Sequence, residues 1–180
     1  MGELFTSFDE AWEQFLERRE PLEDFFVAEF DDRETDVDAW LIVPPPAVKR
    51  AALAIQAELE RFDWLALVPH DYLHVSLNAP VGPAELTYAR MNCFHCAVVI
   101  EVASCELHEY DPRPTFLPHL TLAITKRPAP PGELRAVLEP LRETFLGRQH
   151  VEESIRVSFP FSRERLFEPW TVHERVPVGR

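Results

Sequence analysis

Seven stretches of the chain have the apolar content or the period-two alternation that is typical of β-strands. Residues 39–43 are apolar without a break and predict a buried strand, whereas residues 154–161 alternate between apolar and polar. The predicted strands are 39–43, 64–68, 73–77, 93–107, 116–125, 154–161 and 171–178. Pro80 and Pro83 indicate that residues 78–91 form a connection with at most a short helix.

Four segments carry apolar residues at helical spacing. Ser7 and Glu10 have the pattern of a capping box, which predicts that a helix begins there. Pro21 suits the first turn of a second helix that is rich in phenylalanine. A third helix follows the prolines at 44–46, and Pro140 should kink or split a fourth. The apolar positions are Val48, Ala52, Ile55, Leu59 and Phe62 in the third helix, and Leu134, Val137, Leu138, Leu141 and Phe145 in the fourth.

The order of these elements predicts an α+β fold whose strands are mostly antiparallel. Each half of the main body contributes strands and one principal helix, so two related halves are expected. Residues 1–37 are expected to pack as an N-terminal helical extension onto a domain formed by residues 38–180. The acidic run at residues 31–38 is interpreted as a solvated surface loop.

Composition and charge restrict the classes of partner. With 180 residues, 46% of them hydrophobic, the chain suits a single domain with a real core. No apolar run reaches the ~20 residues that span a bilayer, and the N-terminus lacks the features of a signal peptide, so a cytoplasmic protein is expected.

The formal net charge is −13. Because binding to long nucleic acids uses rows of lysine and arginine, long duplexes are disfavoured as partners, whereas a nucleotide or a short RNA end is compatible.

The three cysteines do not indicate a disulfide framework, since their number is odd and no export signal is present. Cys93 and Cys96 have the spacing of half a zinc site, but a second pair is absent, and Cys105 and His108 are the possible completions. Along a strand, Cys93 and Cys96 would point to opposite faces. We therefore predict no metal site and no cofactor.

Two stretches share the pattern apolar–x–His–apolar–Ser/Thr–apolar, one in each half of the main body. The first contains His74 and Ser76, and the second contains His119 and Thr121. Because both lie in predicted strands, each histidine shares a face with the hydroxyl two residues later. A single motif of this kind is weak evidence, but two copies in the same apolar frame indicate a shared site.

Two histidines on opposite sides of a phosphorus atom suit an in-line displacement. One imidazole can deprotonate the incoming oxygen while the other protonates the leaving oxygen. The hydroxyls of Ser76 and Thr121 can donate hydrogen bonds to the non-bridging oxygens, so that no step requires a metal.

The segments His74-Val75-Ser76-Leu77 and His119-Leu120-Thr121-Leu122 resemble the paired motifs of the 2H phosphoesterases, the superfamily of 2′-5′ RNA ligases and RNA 2′,3′-cyclic phosphodiesterases. The resemblance covers about residues 38–178. It implies a bilobal α+β fold with two mostly antiparallel sheets flanking a cleft and with helices outside.

The same resemblance implies a metal-independent cyclic phosphodiesterase in which His74 and His119 are the acid–base pair and Ser76 and Thr121 bind the phosphate. Substrates would be 2′,3′-cyclic phosphates or related 2′-5′ and cyclic nucleotide phosphodiesters, on small nucleotides or short RNA ends. The protein is expected to act as a monomer, without membrane or cofactor. The histidines are 45 residues apart, a short spacing that places the substrate class more in question than the fold.

Two further residues are candidates for substrate binding. Arg127 has the strand parity of His119 and Thr121 and would meet a phosphate if that strand extends far enough. Tyr72 shares a face with His74 and could stack on a base, although packing is the commoner role of such a residue.

Three alternatives to an enzyme of this kind stay open. The first is a non-catalytic module that holds a nucleotide or an RNA end in the same cleft. The second is an interaction protein that docks a partner through its N-terminal aromatic helices, and the third is a zinc-dependent hydrolase.

Overall fold

The computed structural model describes residues 5–107 and 116–178, which form helices and strands in a mixed order. The helices are α1 (Phe8–Glu17), α2 (Phe25–Phe30), α3 (Pro46–Leu59) and α4 (Gly132–Leu138), with 3₁₀ turns at His70–Tyr72 and Glu139–Leu141. The strands are β1 (Thr35–Ile42), β2 (Leu65–Leu67), β3 (Val75–Leu77), β4 (Glu85–Cys93), β5 (Ala97–Ala103), β6 (His119–Thr125), β7 (Phe145–His150), β8 (Glu153–Phe161) and β9 (Thr171–Pro177). No helix of the described residues is long and apolar enough to cross a membrane.

All strand pairs among the described residues are antiparallel, which confirms the predicted α+β class. The order is β7-β4-β5-β6-β3-β1-β8-β9, and β2 also pairs with β6. The two expected sheets are joined where Val75 of β3 pairs with Leu120 of β6, so the strands form one continuous sheet. The two predicted lobes correspond to the strands on either side of this junction, β7, β4, β5 and β6 on one side and β3, β1, β8 and β9 on the other.

Opposite faces of the sheet carry two hydrophobic cores. Ile42 of β1 belongs to the larger core, in which Ala52 and Leu59 of α3 are fully buried. The adjacent Leu41 belongs to the smaller core, together with Phe26 of α2. Because neighbouring residues of a strand face opposite ways, β1 contributes to both cores and is covered by helices on both sides.

The N-terminal helices begin with side-chain caps. The Ser7 hydroxyl accepts a hydrogen bond from Glu10 N at 3.1 Å, as the capping box predicts, although the Glu10 carboxylate accepts from Thr6 N rather than from the cap residue itself. The second helix begins later than predicted. Pro21 precedes it and does not lie in its first turn, and Asp24 caps the helix by accepting from Phe26 N at 3.0 Å.

The expectation of a mostly irregular connection at residues 78–91 was wrong, since β4 occupies Glu85–Cys93. Leu86 and Tyr88 are fully buried and two residues apart, as expected for one face of a strand, but the next buried residue is Met91, three residues later. The register with β5 shifts between Tyr88 and Met91, and Arg90 has a φ of 66°. This bulge breaks the period-two pattern, which is why the alternation is not visible along the sequence.

The fourth helix was predicted too long. Regular α-helix ends at Leu138, and a 3₁₀ turn that contains Pro140 follows, as expected from a residue without an N–H. Phe145 then begins the edge strand β7 and is 59% exposed, so its place in the helical pattern was wrong. Likewise, the long strand predicted at 93–107 divides into the end of β4, a turn and β5.

A buried ionic network ties α1 to the sheet. The Glu101 carboxylate accepts hydrogen bonds from Arg142 Nη1 and from Asn92 Nδ2, and Arg90 Nη1 lies 3.4 Å from its other oxygen. Asp9 of α1 in turn accepts from Arg90 Nη2 at 2.7 Å. Glu101 is 6% exposed, so its charge depends on these partners.

We expect Glu101→Ala to lower the free energy of unfolding by about 3–5 kcal/mol, because it removes the buried carboxylate that pairs with Arg142 and leaves only the exposed Asp9, 3.4 Å away, as an acidic partner among the described residues. Urea denaturation followed by circular dichroism measures this loss. The exposed pair of Glu153 and Arg175, 2.8 Å apart, provides the control, since Glu153→Ala should cost less than about 1 kcal/mol. Equal losses in the two variants would contradict the importance of the buried network.

Candidate active site

The two histidine motifs lie side by side in the sheet. Val75 of β3 pairs with Leu120 of β6, and the strands are antiparallel. Continuing this register by one residue in each direction places His74 opposite Thr121 and Ser76 opposite His119. The two histidines are then diagonal neighbours, a relation in which Cα atoms lie about 7–8 Å apart. Each histidine therefore lies directly across the strand pair from the hydroxyl residue of the other motif.

Both histidines are held in the same way. His74 Nδ1 lies 2.5 Å from the carbonyl oxygen of Tyr72, and His119 Nδ1 lies 2.7 Å from the carbonyl oxygen of Leu117. A carbonyl can only accept, so in each case Nδ1–H donates and Nε2 carries the lone pair in the neutral ring. The same tautomer and orientation are thus imposed twice, with Nε2 free for chemistry.

An aromatic ring also contacts each imidazole edge to face. The ring of Trp170 lies 5.6 Å from that of His74, and the ring of Phe94 lies 5.0 Å from that of His119. These contacts and the carbonyl hydrogen bonds restrict both rings before any substrate binds.

The four motif residues line a single cavity of about 370 Å³. This volume falls in the range of small-molecule sites. Most of the wall is apolar and aromatic, and the described residues that line it include no lysine or arginine. The aromatic lining residues are Phe25, Phe30, Tyr72, Phe94, Phe159, Phe161 and Phe167.

Part of the wall comes from the segment predicted to be an N-terminal extension. Phe25, Glu29 and Phe30 of α2 line the cavity. Arg163 holds this helix in place, because its guanidinium donates to Asp24 at 2.9 Å and to Asp32 at 2.6 Å. The two acidic groups hold the pKa of Arg163 above its usual range.

Of the two additional candidates, only Tyr72 reaches the cavity. Its ring is 7% exposed and packs against Trp170 and Phe167, and its hydroxyl makes no hydrogen bond to the described residues. Arg127 follows the end of β6, is not among the cavity-lining residues, and donates to Asp63 at 2.7 Å. The structure thus brings Tyr72 together with the motif residues and leaves Arg127 outside.

Burial changes the protonation of both histidines. Desolvation lowers the pKa of His74 to about 4, although the hydrogen bond to the Tyr72 carbonyl acts to raise it. Desolvation also lowers the pKa of His119, but the Leu117 carbonyl and the carboxylate of Glu29 act in the opposite direction. The charge of a protonated His119 further disfavours a second proton on His74. The first proton therefore goes to His119.

The cavity contains three polar residues that the sequence analysis did not assign to it: Glu29, His95 and Cys96. Their ligand atoms all lie within 4.8 Å of one another. The Cys93–Cys96 spacing drew attention to this stretch, but the structure places Cys96 with His95 and with a residue of α2. His108, considered as a completion, lies outside the described residues.

Crystal structures of two proteins, LigT and TT0787, have the fold of this chain. E. coli LigT in complex with 3′-AMP aligns with a TM-score of 0.58 at 15% identity, over 81% of this chain and 99% of LigT. LigT in its apo form gives 0.55 at 14% identity, over 82% and 100%. TT0787 of Thermus thermophilus gives 0.51 at 17% identity, over 78% and 97%.

The chain has the LigT fold. The α+β architecture that the resemblance implied is therefore confirmed. No protein-family sequence model matches the chain, and no curated protein does so either. At identities of 14–17% the LigT likeness establishes the fold, and the chemistry has to follow from the residues of the cavity.

We expect His74 in the free protein to titrate near pH 4 and, when neutral, to carry its proton on Nδ1. Its burial favours the neutral ring, and the Tyr72 carbonyl selects the tautomer. Long-range ¹H–¹⁵N NMR spectra of the imidazoles report both properties, and His74→Ala identifies the resonances. Titration at the ordinary histidine pKa of about 6.5 would contradict the buried environment.

Proposed function

We propose that the protein is a metal-independent phosphodiesterase that opens 2′,3′-cyclic phosphates, or related 2′-5′ and cyclic nucleotide phosphodiesters. The observation that supports this most directly is the duplicated arrangement of His74 and His119. Each imidazole donates from Nδ1 to the carbonyl two residues earlier, and both line one cavity with a hydroxyl of the other motif opposite. Two equivalent bases at a diagonal spacing suit the two ends of an in-line displacement.

In the proposed reaction, His74 acts as general base and His119 as general acid. His74 Nε2 takes a proton from water as the new bond between water oxygen and phosphorus forms. The bond from phosphorus to one ribose oxygen breaks, and His119 Nε2 gives its proton to that oxygen. This assignment follows from the groups around the rings, because Glu29 favours the proton on His119, and a proton there disfavours one on His74.

The hydroxyls of Ser76 and Thr121 are proposed to bind the phosphate. Both line the cavity, and each lies across the β3–β6 pair from a histidine. As donors to the non-bridging oxygens they stabilise negative charge in a site where the described lining offers no lysine or arginine. The Tyr72 hydroxyl, which makes no hydrogen bond to the described residues, is a third candidate donor.

The cavity favours a small substrate with one phosphodiester. Aromatic walls suit a base and ribose, whereas a polyphosphate or a long RNA would require cationic side chains. The net charge of −13 points the same way. A crystal structure of LigT contains 3′-AMP, a small nucleotide with a single phosphate. We therefore propose a nucleotide or a short RNA end as the substrate, bound by a monomer.

A second candidate is a nucleotide-binding protein without turnover. The nucleotide complexes of LigT favour it, because they show that this fold holds such ligands. Binding of a cyclic nucleotide without product formation would identify it. The intact pair of histidines and the two hydroxyls make the enzyme the better proposal.

The first test is hydrolysis of 2′,3′-cyclic nucleotides and of a short RNA that ends in a cyclic phosphate, with EDTA present. We expect turnover by the wild type and a fall in kcat of about 10²–10⁴-fold in His74→Ala and in His119→Ala, the typical contribution of a general acid or base. His150→Ala is the matched control, because His150 is exposed and pairs with Glu85 away from the cavity. Unchanged turnover in either motif variant would rule out the two-histidine mechanism.

The pH dependence provides a second test. We expect kcat/KM to fall as the pH rises through the pKa of His119, which lies below its usual 6.5, since the acid then loses its proton. It should fall again as the pH drops towards about 4, where the base His74 becomes protonated. The optimum is therefore acidic. A profile that keeps rising into the alkaline range would contradict these roles.

A further inference from the structure

Glu29, His95 and Cys96 form a compact group of three different metal-ligating side chains on the cavity wall. His95 Nε2 lies 3.3 Å from Glu29 Oε1, and Cys96 Sγ lies 3.8 Å from the same oxygen. One ligand atom from each residue falls within 4.8 Å of the other two. Three ligands of one tetrahedral ion have separations of this order.

The imidazole of His95 lacks the partners that a buried polar ring normally has. The residue is 7% exposed, and neither ring nitrogen makes a hydrogen bond to the described residues. Glu29 Oε1 lies 3.3 Å from Nε2, within ion-pair distance but without hydrogen-bond geometry, and Nδ1 has no such neighbour among the described residues. Because buried polar atoms are usually satisfied, this ring indicates a missing ligand at the group.

The backbone around the three residues is already fixed. His95 O accepts from Glu23 N at 2.9 Å, and Cys96 O accepts from Thr125 N at 3.0 Å. These bonds secure the turn between β4 and β5, while the Asp24 cap and its ion pair with Arg163 secure α2. Little reorganisation is therefore needed for the three side chains to converge on an ion.

We propose that Glu29, His95 and Cys96 bind a zinc ion in the wall of the cavity. A thiolate, an imidazole and a carboxylate are the ligand types of Zn²⁺, and sites with three protein ligands leave a fourth position for water or another oxygen ligand. The sulfur donor disfavours Mg²⁺ and Ca²⁺, which prefer oxygen. On binding, the Cys96 thiol loses its proton to solvent and the ion takes the sulfur as a thiolate.

The site adjoins the proposed catalytic residues without including them. His95 and Cys96 directly follow Phe94, whose ring contacts His119. The fourth position of the ion would be open to the cavity that the motif residues share. The inference does not depend on the proposed hydrolysis, which is assayed with EDTA and uses no metal.

The test is a titration of the full, chelator-treated protein with Zn²⁺ under reducing conditions, followed by calorimetry. We expect one ion per chain, and a weakening of at least about 10- to 100-fold in Cys96→Ser and in Glu29→Gln, since even the loss of a group that supports a metal ligand has that effect. Co²⁺ serves as a second probe, because a bound thiolate gives a charge-transfer band that Cys96→Ser should abolish.

Cys105→Ser is the matched control, because Cys105 is exposed and lies outside the group, and it should bind zinc like the wild type. Circular dichroism checks the fold of each variant. Glu29→Gln keeps the test valid if Cys96→Ser is unstable, since the Glu29 side chain is partly exposed. Absence of zinc binding by the wild type, or unchanged binding in either folded variant, would overturn the proposal.

Discussion

The pairing of β3 with β6 is the contact on which the candidate site depends. Its register is set by Val75 and Leu120, both fully buried in the larger core. Because side chains alternate along a strand, burying these two residues on one face directs the histidine and the hydroxyl of each motif to the opposite face. A slip of one residue in either strand would move a histidine into the larger core and a core leucine or valine into the cavity. The hydrophobic core therefore specifies the geometry of the polar site.

The second constraint is the apolar wall that surrounds this polar group. Aromatic side chains exclude water, and exclusion of water lowers the pKa values of His74 and His119 and strengthens every hydrogen bond in the cavity. Neutral imidazoles are the state that such an environment favours. The carbonyls of Tyr72 and Leu117 then determine which nitrogen of each ring is free. Packing, protonation and tautomer are thus consequences of the same burial.

Helix α2 of the N-terminal segment takes part in this wall. Helix α2 contributes Phe26 to the smaller core and Glu29 to the cavity. Its position relies on Arg163, which joins Asp24 and Asp32 to the end of β8. The carboxylate of Glu29 influences His119 and lies against His95, so α2 connects the proposed acid with the proposed zinc site.

The sequence alone determined the elements whose residues repeat locally: the α3 face, the cap at Ser7, the alternation of β8 and the two His-x-Ser/Thr motifs. Local repetition suffices there because each pattern reflects one face of one element against one core. The tertiary structure decided what depends on neighbours distant in the chain. The bulge at Arg90 hides the alternation of β4, and edge pairing with β4 makes Phe145 the start of a strand. Glu29 meets His95 and Cys96 only because α2 packs beside the β4–β5 turn, a contact between segments that share no local pattern.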